Sequence, residues 1–119
     1  MTTNDKDLHK PGVKYDKTKP RVGMVLGNFP RALLAVSEVG TYGANKYTDD
    51  NWLSVVSARD RYTDAGLRHY LLACTGEEFD NESGYRHLAH EAWNALARLE
   101  LLLREKENEN EKNRQQNLP

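Results

Sequence analysis

Disulfides, membrane-spanning segments and a signal peptide are all missing from this sequence. Cys74 is the only cysteine among the 119 residues, which excludes an intrachain disulfide and a zinc site built on cysteines. No run of about 18 apolar residues is present, so no transmembrane helix is predicted. The polar N-terminus lacks the apolar region of a signal peptide. We therefore expect a cytoplasmic protein.

A basic excess is missing as well: 17 lysines and arginines stand against 18 acidic residues, and the formal net charge is −1. This balance argues against binding to extended nucleic acid, which needs many phosphate contacts. It allows a small anionic ligand that is bound by a local basic cluster. The length predicts one domain. Because 38% of the residues are apolar and 29% are charged, we expect a small core and predict a homo-oligomer.

The longest helical pattern runs from Gly84 to Leu103. Apolar residues recur there three or four positions apart and share one face, which we predict to be the core face. They are Tyr85, Leu88, Ala92, Leu96, Leu99 and Leu103. A second stripe of this helix carries His87, His90 and Asn94. These histidines either pack in the core with one hydrogen bond each or face a functional site.

Two shorter helices are predicted, at about Pro30–Tyr42 and about Ala58–Cys74. Their predicted core faces are Leu33, Leu34, Val36 and Val39 in the first helix, and Leu67, Tyr70, Leu71 and Cys74 in the second. The sequence thus predicts an all-α fold, a compact domain of about three main helices over residues 13–104. A mobile arm (1–12) and a loop-rich segment precede the helices, and a polar tail (105–119) is predicted to fray and become disordered.

Several polar segments allow two interpretations. Glu38 is the only acid of the first helix, and we interpret it as a site residue rather than an exposed one. The basic segment Pro11–Arg21 is either a solvated linker or a strap over a phosphate group. The acidic loop Glu77–Gly84 is either solvated or a source of oxygen ligands for Mg²⁺ or Mn²⁺. The loop that contains Lys46 and Trp52 is either a pocket wall or ordinary surface.

Three long strings occur in a fixed order over roughly residues 13–103. They are KYDKTKPR, SEVGTYGANKYTDDNW and ARDRYTDAGLRHYLLACTGEEFDNESGYRHLAHEAWNAL. These strings resemble a phage and bacterial family, the N-terminal domain of dATP/dGTP diphosphohydrolases. The resemblance implies hydrolysis of a purine deoxynucleoside triphosphate to the monophosphate and pyrophosphate, with a divalent metal. It also implies a phage origin, and therefore the host cytoplasm as location.

The architecture that this resemblance implies is similar to the MazG-like all-α nucleotide pyrophosphohydrolases. There, Glu-x-x-Glu and Glu-x-x-Asp pairs on facing helices bind the metal. This chain departs from the pattern, because Thr41 stands three residues after Glu38 and His87-x-x-His90 replaces the second acidic pair. Either a mixed set of histidines and carboxylates holds the metal, or catalysis is absent.

The predicted site follows from these residues and from the chemistry of triphosphate cleavage. The candidate ligands for Mg²⁺ or Mn²⁺ are Glu38, Asp64, Asp80, Glu82, His87 and His90, of which Glu38, Asp64, His87 and His90 are also the candidate catalytic residues. Candidates to neutralise phosphate oxygens are Lys14, Lys19, Arg21, Lys46, Arg61 and Arg68. The other candidate substrate-binding residues are Tyr47 and Trp52 for stacking, Asn51 and Asn94 for the purine edge, and His69.

Three functions remain open from the sequence. The first is a metal-dependent hydrolase of dATP or dGTP. The second is a non-catalytic protein that sequesters a nucleotide or a nucleotide-derived signal in the same pocket. The third is a helical interaction module, which would show no change of melting temperature with nucleotide.

Overall fold

The computed structural model describes residues 9–118 and contains four α-helices in that range. They are α1 (Val22–Gly27), α2 (Pro30–Lys46), α3 (Ala58–Cys74) and α4 (His87–Gln116). A single 3-10 turn, Asn51–Leu53, lies between α2 and α3. The only β-type pairing in this range is one isolated antiparallel bridge between Phe79 and Arg86. The predicted all-α fold with three main helices is confirmed, whereas most of the predicted arm, residues 1–12, lies outside the described part.

The residues at the helix ends explain where α2 begins and where α3 ends. Pro30 occupies the first turn of α2, where its fixed φ angle suits a helix and its missing N–H costs nothing. Gly76 follows α3 with φ +96° and its N–H donates to Ala73 O at 3.0 Å, so it fills the left-handed position that glycine prefers after a helix. No helix within residues 9–118 combines the length and the apolar character that crossing a membrane would require.

Helix α4 begins and ends later than the sequence pattern predicts. It starts at His87 instead of Gly84 and continues to Gln116, so the predicted disorder after residue 104 is wrong as far as Gln116. Its last part is rich in strong helix formers. Ion pairs three or four residues apart also support it, namely Arg104–Glu100, Lys106–Glu109 and Arg114–Glu111.

Helices α3 and α4 pack along each other, and α2 packs on α4. The close approach of α3 to α4 depends on Gly66, where a Cβ atom would lie 3.2 Å from Asn94 Cβ. At Gly40 in α2, a Cβ atom would lie 3.1 Å from Trp93 Nε1. Small residues therefore set the distances between the helices, as close packing of backbones requires.

The stability of Gly66→Ala tests this packing, and Gly43→Ala in α2 is the control. Glycine to alanine in a helix stabilises a protein by about 1 kcal/mol when space is free. A Cβ atom at Gly43 would meet no other atom within 4 Å, so Gly43→Ala should raise the free energy of unfolding by about that amount. Gly66→Ala should lose this gain or become destabilising, because its methyl group meets Asn94. Equal stabilisation of both variants in urea unfolding would contradict the close approach.

The most buried residues of the helices differ largely from the predicted ones. Among the described residues the buried apolar side chains are Val39, Ala89 and Ala97, whereas His87, His90 and Asn94 are the buried polar ones. The predicted core leucines are exposed: Leu34 by 67%, Leu71 by 61% and Leu88 by 68%. Most of the predicted core residues of α3 and α4 are therefore wrong for the isolated chain, whereas Val39 of α2 is buried and Leu33, Val36, Tyr85 and Ala92 are partly buried. The histidine and asparagine stripe of α4 faces inward because α3 packs against it.

Candidate functional site

A cavity of about 550 Å³ opens between α2, the loop that follows it, α3 and α4. This volume lies within the range of small-molecule sites. Aromatic rings, basic side chains, carboxylates and imidazoles all line it. The predicted site residues among its lining are Lys46, Tyr47, Asn51, Trp52, Arg61, Arg68, His69, Asp80, Glu82, His90 and Asn94.

The imidazoles form one contiguous cluster. His69 Nδ1 lies 2.8 Å from His87 Nδ1, and the ring of His69 stacks on that of His90 with centroids 4.4 Å apart. His87 is only 1% exposed, and its Nε2 lies 2.7 Å from Glu77 Oε2. The loop between α3 and α4 thus supplies an acid that fixes the ring of His87.

His90 and Asp80 are held by the same loop. His90 Nε2 lies 2.6 Å from Ser83 Oγ and 3.8 Å from Asp80 Oδ2. The Ser83 N–H donates to Asp80 Oδ2 at 2.8 Å. Burial alone would raise the pKa of Asp80, but its hydrogen bonds with Ser83 and the nearby imidazoles lower that pKa below the usual value. Asp80 therefore remains a carboxylate at neutral pH.

Burial lowers the pKa of His69 and of His90. The Asp80 carboxylate acts to raise both pKa values and a neighbouring imidazole acts to lower them, but burial dominates and both pKa values stay below the usual value. Both rings are accordingly neutral at pH 7, and each offers one nitrogen lone pair.

Another part of the cavity lining is aromatic and basic. Trp93 contacts both Trp52 and Tyr62 edge to face, with centroids 6.2 and 5.4 Å apart. The Tyr62 hydroxyl donates to Trp52 O at 2.7 Å, and burial raises the pKa of this phenol. These contacts fix the position of the Trp52 ring, over which the Arg104 guanidinium lies 5.6 Å from the centroid.

The three basic side chains that line the cavity differ in whether they form an ion pair. Lys46 pairs with Glu82 at 2.5 Å, a contact between side chains that are both largely exposed. Arg61 and Arg68 line the cavity from α3. Neither arginine forms an ion pair within the described residues. Their charges remain available to an anionic ligand.

Some predicted site residues lie elsewhere. Glu38 and Asp64 are exposed on α2 and α3 and do not line the cavity. The basic residues of the N-terminal segment, Lys14, Lys19 and Arg21, are exposed and are also absent from its lining. His87 lies behind His69, in contact with it but outside the lining.

Sequence reasoning missed Glu77, Ser83 and Trp93 as individual residues. Glu77 and Ser83 belong to the acidic loop that the sequence singled out, but charge alone does not show which members meet the histidines. Trp93 stands three residues after His90, one helical turn away, and this spacing could have indicated a ring on the same face.

The imidazoles and carboxylates of the site suit some metal ions better than others. His69, Asp80 and His87 each offer one ligand atom, and these atoms all lie within 4.8 Å of one another. Imidazole nitrogens suit transition metals, whereas Mg²⁺ prefers oxygen ligands throughout. This cluster therefore does not fit Mg²⁺. Oxygen ligands are present elsewhere in the cavity, at Asp49 and Glu82.

Comparison with known proteins identifies the family of the chain. No curated protein and no solved structure matches it significantly. The family model for the N-terminal part of dATP/dGTP diphosphohydrolase matches residues 9–111, which include all four helices apart from the end of α4 and the whole cavity lining. The chain therefore belongs to the dATP/dGTP diphosphohydrolase N-terminal domain family.

Proposed function

We propose that the chain hydrolyses dATP or dGTP to the monophosphate and pyrophosphate in the cavity between α2, α3 and α4. The observation that carries this proposal is the meeting of unpaired arginines, aromatic rings, neutral imidazoles and carboxylates in one cavity. A nucleoside triphosphate needs these four kinds of group for its phosphates, its base, the attacking water and a bound cation. Membership of the family supports the same substrate class.

The base would bind at the aromatic wall. Tyr47 and Trp52 line the cavity there, and either ring can stack on a purine. The Asn94 side-chain amide donates to His90 O at 2.8 Å, so its carbonyl oxygen is the group that would accept from a purine amino group. Asn51 lines the same wall and offers a second amide.

The triphosphate would extend toward α3. Arg61 and Arg68 would neutralise its oxygens by charge-assisted hydrogen bonds. A water attacks the α-phosphorus, one new P–O bond forms, and the bond to the bridging oxygen breaks so that pyrophosphate leaves. His90 is the proposed acceptor of the water proton. Mg²⁺ or Mn²⁺ would enter with the triphosphate, held by Glu82 and Asp49, and would reduce the charge that repels the water.

The direct test is hydrolysis by the purified chain. Each deoxynucleoside triphosphate is incubated with Mg²⁺ or Mn²⁺, and the products are separated by ion-exchange chromatography. We expect monophosphate and pyrophosphate in equal amounts from dATP or dGTP. An Arg61→Ala/Arg68→Ala double variant, purified in parallel, controls for contaminating phosphatases. Absence of monophosphate from every purine nucleotide would reject the hydrolase.

A non-catalytic nucleotide-binding protein is the second candidate. The observation that favours it is the exposure of Glu38 and Asp64 outside the cavity, which leaves fewer carboxylates than the MazG-like pattern uses. This candidate predicts nucleotide binding by calorimetry in EDTA, with intact nucleotide recovered afterwards. An unchanged melting temperature with every nucleotide would instead favour an interaction module.

We also propose that the chain is a homo-oligomer, and that it acts in the cytoplasm, or in the host cytoplasm if a phage encodes it. Leu67, Leu71, Leu96 and Leu99 are among the large apolar side chains more than half exposed. Leucines this exposed on both α3 and α4 are typical of an interface between chains.

The oligomer is tested by light scattering at micromolar concentration. We expect a mass of at least twice the 13.6 kDa of one chain. Leu71→Glu and Leu96→Glu should shift the mass toward the monomer, because a charge cannot be buried without a partner. Asn108→Glu, at an exposed polar position of α4, serves as the control. A monomeric wild type would reject the proposal.

A further inference from the structure

Two histidines from different helices present the same ring atom to each other beside the cavity. His69 of α3 and His87 of α4 face each other through their Nδ1 atoms at 2.8 Å. One nitrogen of each ring and one carboxylate oxygen of Asp80 all lie within 4.8 Å of one another. Two helices and one loop therefore converge on a single point.

Glu77 fixes the orientation of the His87 ring through the nitrogen that lies away from His69. Its Nε2 lies 2.7 Å from Glu77 Oε2, so the Nε2–H donates to the carboxylate and the Nδ1 atom carries the lone pair. A carboxylate on the far nitrogen of an imidazole is the usual partner of a metal-binding histidine, because it fixes the tautomer and makes the ring a better donor. The lone pair of this ring is aimed at His69.

We propose that His69, His87 and Asp80 bind one divalent transition-metal ion, with Zn²⁺, Co²⁺ and Ni²⁺ preferred over Mn²⁺ and Mn²⁺ preferred over Mg²⁺. Two imidazole nitrogens and one carboxylate form a donor set that favours nitrogen-binding ions. This ion is distinct from the Mg²⁺ or Mn²⁺ that would enter with a triphosphate. The proposal does not rest on the proposed hydrolase activity.

Only small movements are needed to accept the ion. Two nitrogens bound to one tetrahedral ion at about 2.0–2.1 Å lie about 3.3 Å apart, so the rings would separate by roughly half an ångström. Asp80 belongs to the loop between α3 and α4, and its carboxylate would move by up to about 1.5 Å, from within 4.8 Å of the nitrogens to about 3.3 Å. The hydrogen bond from the Ser83 N–H would shift with it. His69 and Asp80 also line the cavity, so water from the cavity would be the fourth ligand, as in other sites with three protein ligands.

A proton shared between the Nδ1 atoms of His69 and His87 is the alternative to a metal ion. If His69 carries its proton on Nδ1, it donates to His87 Nδ1, and the chain from His69 through His87 to Glu77 is satisfied without an ion. In that case the histidines are a hydrogen-bonded pair only, and added metal ions should bind weakly or at other residues.

The experiment measures metal binding by the full chain without nucleotide. The protein is dialysed against EDTA and then titrated with Co²⁺, Zn²⁺, Mn²⁺ and Mg²⁺ by calorimetry, and the visible absorption of Co²⁺ reports nitrogen ligation. We expect one Co²⁺ or Zn²⁺ per chain. His69→Ala should weaken binding by at least about 100-fold, and Glu77→Gln by about 10- to 100-fold as a positioning residue. His9→Ala, an exposed histidine, should bind like the wild type.

His69 and Glu77 are preferred to His87 as test positions because they are only partly buried, and their variants should fold. Circular dichroism checks this before each titration. The proposal is overturned if the wild type binds no Co²⁺ or Zn²⁺ saturably, or if folded His69→Ala binds like the wild type. A chain that binds the ion but does not hydrolyse dATP or dGTP would reject the hydrolase alone, and the reverse result would reject the metal site alone.

Discussion

Arg61→Ala and Arg68→Ala should each raise the KM for dATP or dGTP by roughly 10- to 100-fold, with smaller effects on melting temperature. Hydrogen bonds between charged groups contribute about 1.5–3 kcal/mol, and 1.4 kcal/mol corresponds to one factor of ten. Both arginines line the cavity and form no ion pair within residues 9–118. Their removal therefore takes away phosphate binding without breaking a bridge in the protein.

Arg59→Ala is the matched control for these variants. Arg59 lies on the same helix, is exposed, and pairs with Glu105 of α4 at 3.4 Å. It does not line the cavity, so its removal should change KM by less than about twofold, since an exposed ion pair contributes little. Equal effects of Arg59→Ala and Arg61→Ala would show that general charge, and not the cavity, attracts the triphosphate. If the protein only binds nucleotide, the dissociation constant replaces KM.

His87→Ala should lower the free energy of unfolding by about 3 kcal/mol, the largest stability loss that we expect from a single substitution. The ring is 1% exposed, so its removal leaves a void between α3 and α4. It also leaves His69 Nδ1 and Glu77 Oε2 without the partner that each now has at 2.8 and 2.7 Å. We expect the melting temperature to fall by about 10 °C or more.

His9→Ala makes the same truncation at an exposed histidine and should leave the melting temperature unchanged. Both variants are measured in EDTA, so that a lost metal ion does not contribute, and at one protein concentration, because oligomers melt in a concentration-dependent way. A His87→Ala protein as stable as His9→Ala would contradict the buried network.

The sequence predicts the three main helices well but assigns the buried faces of α3 and α4 largely wrongly. Periodicity shows that a face is apolar, yet it does not show which partner covers that face. Here α3 and α4 approach each other at Gly66, beside Asn94, and at His69, beside His87, and this contact buries His87 and Asn94. The leucines are directed away from the contact. A stripe of leucines on a small domain is therefore equally compatible with a core and with an interface between chains.

The sequence predicts part of the site, in one loop and on α3 and α4, and errs where the orientation of a helix or the path of the N-terminal segment decides. Lys46, Tyr47 and Trp52 are close in sequence, so a single loop brings them to one wall of the cavity. The sequence places Glu38 in the site because its helix has few other acids, and such an inference depends on the orientation of the helix. In the structure Glu38 lies on the exposed face, so we expect Glu38→Gln to leave turnover near that of the wild type.

The length of α4 also determines how the particle moves in solution. Its 30 residues span about 45 Å at 1.5 Å per residue, and residues 106–116 continue beyond the pair between Arg59 and Glu105. The radius of gyration is 20.1 Å, against about 13.5 Å for a compact chain of this length. Such an elongated particle experiences high friction, so even a single chain would elute from a gel-filtration column at the position of a larger sphere.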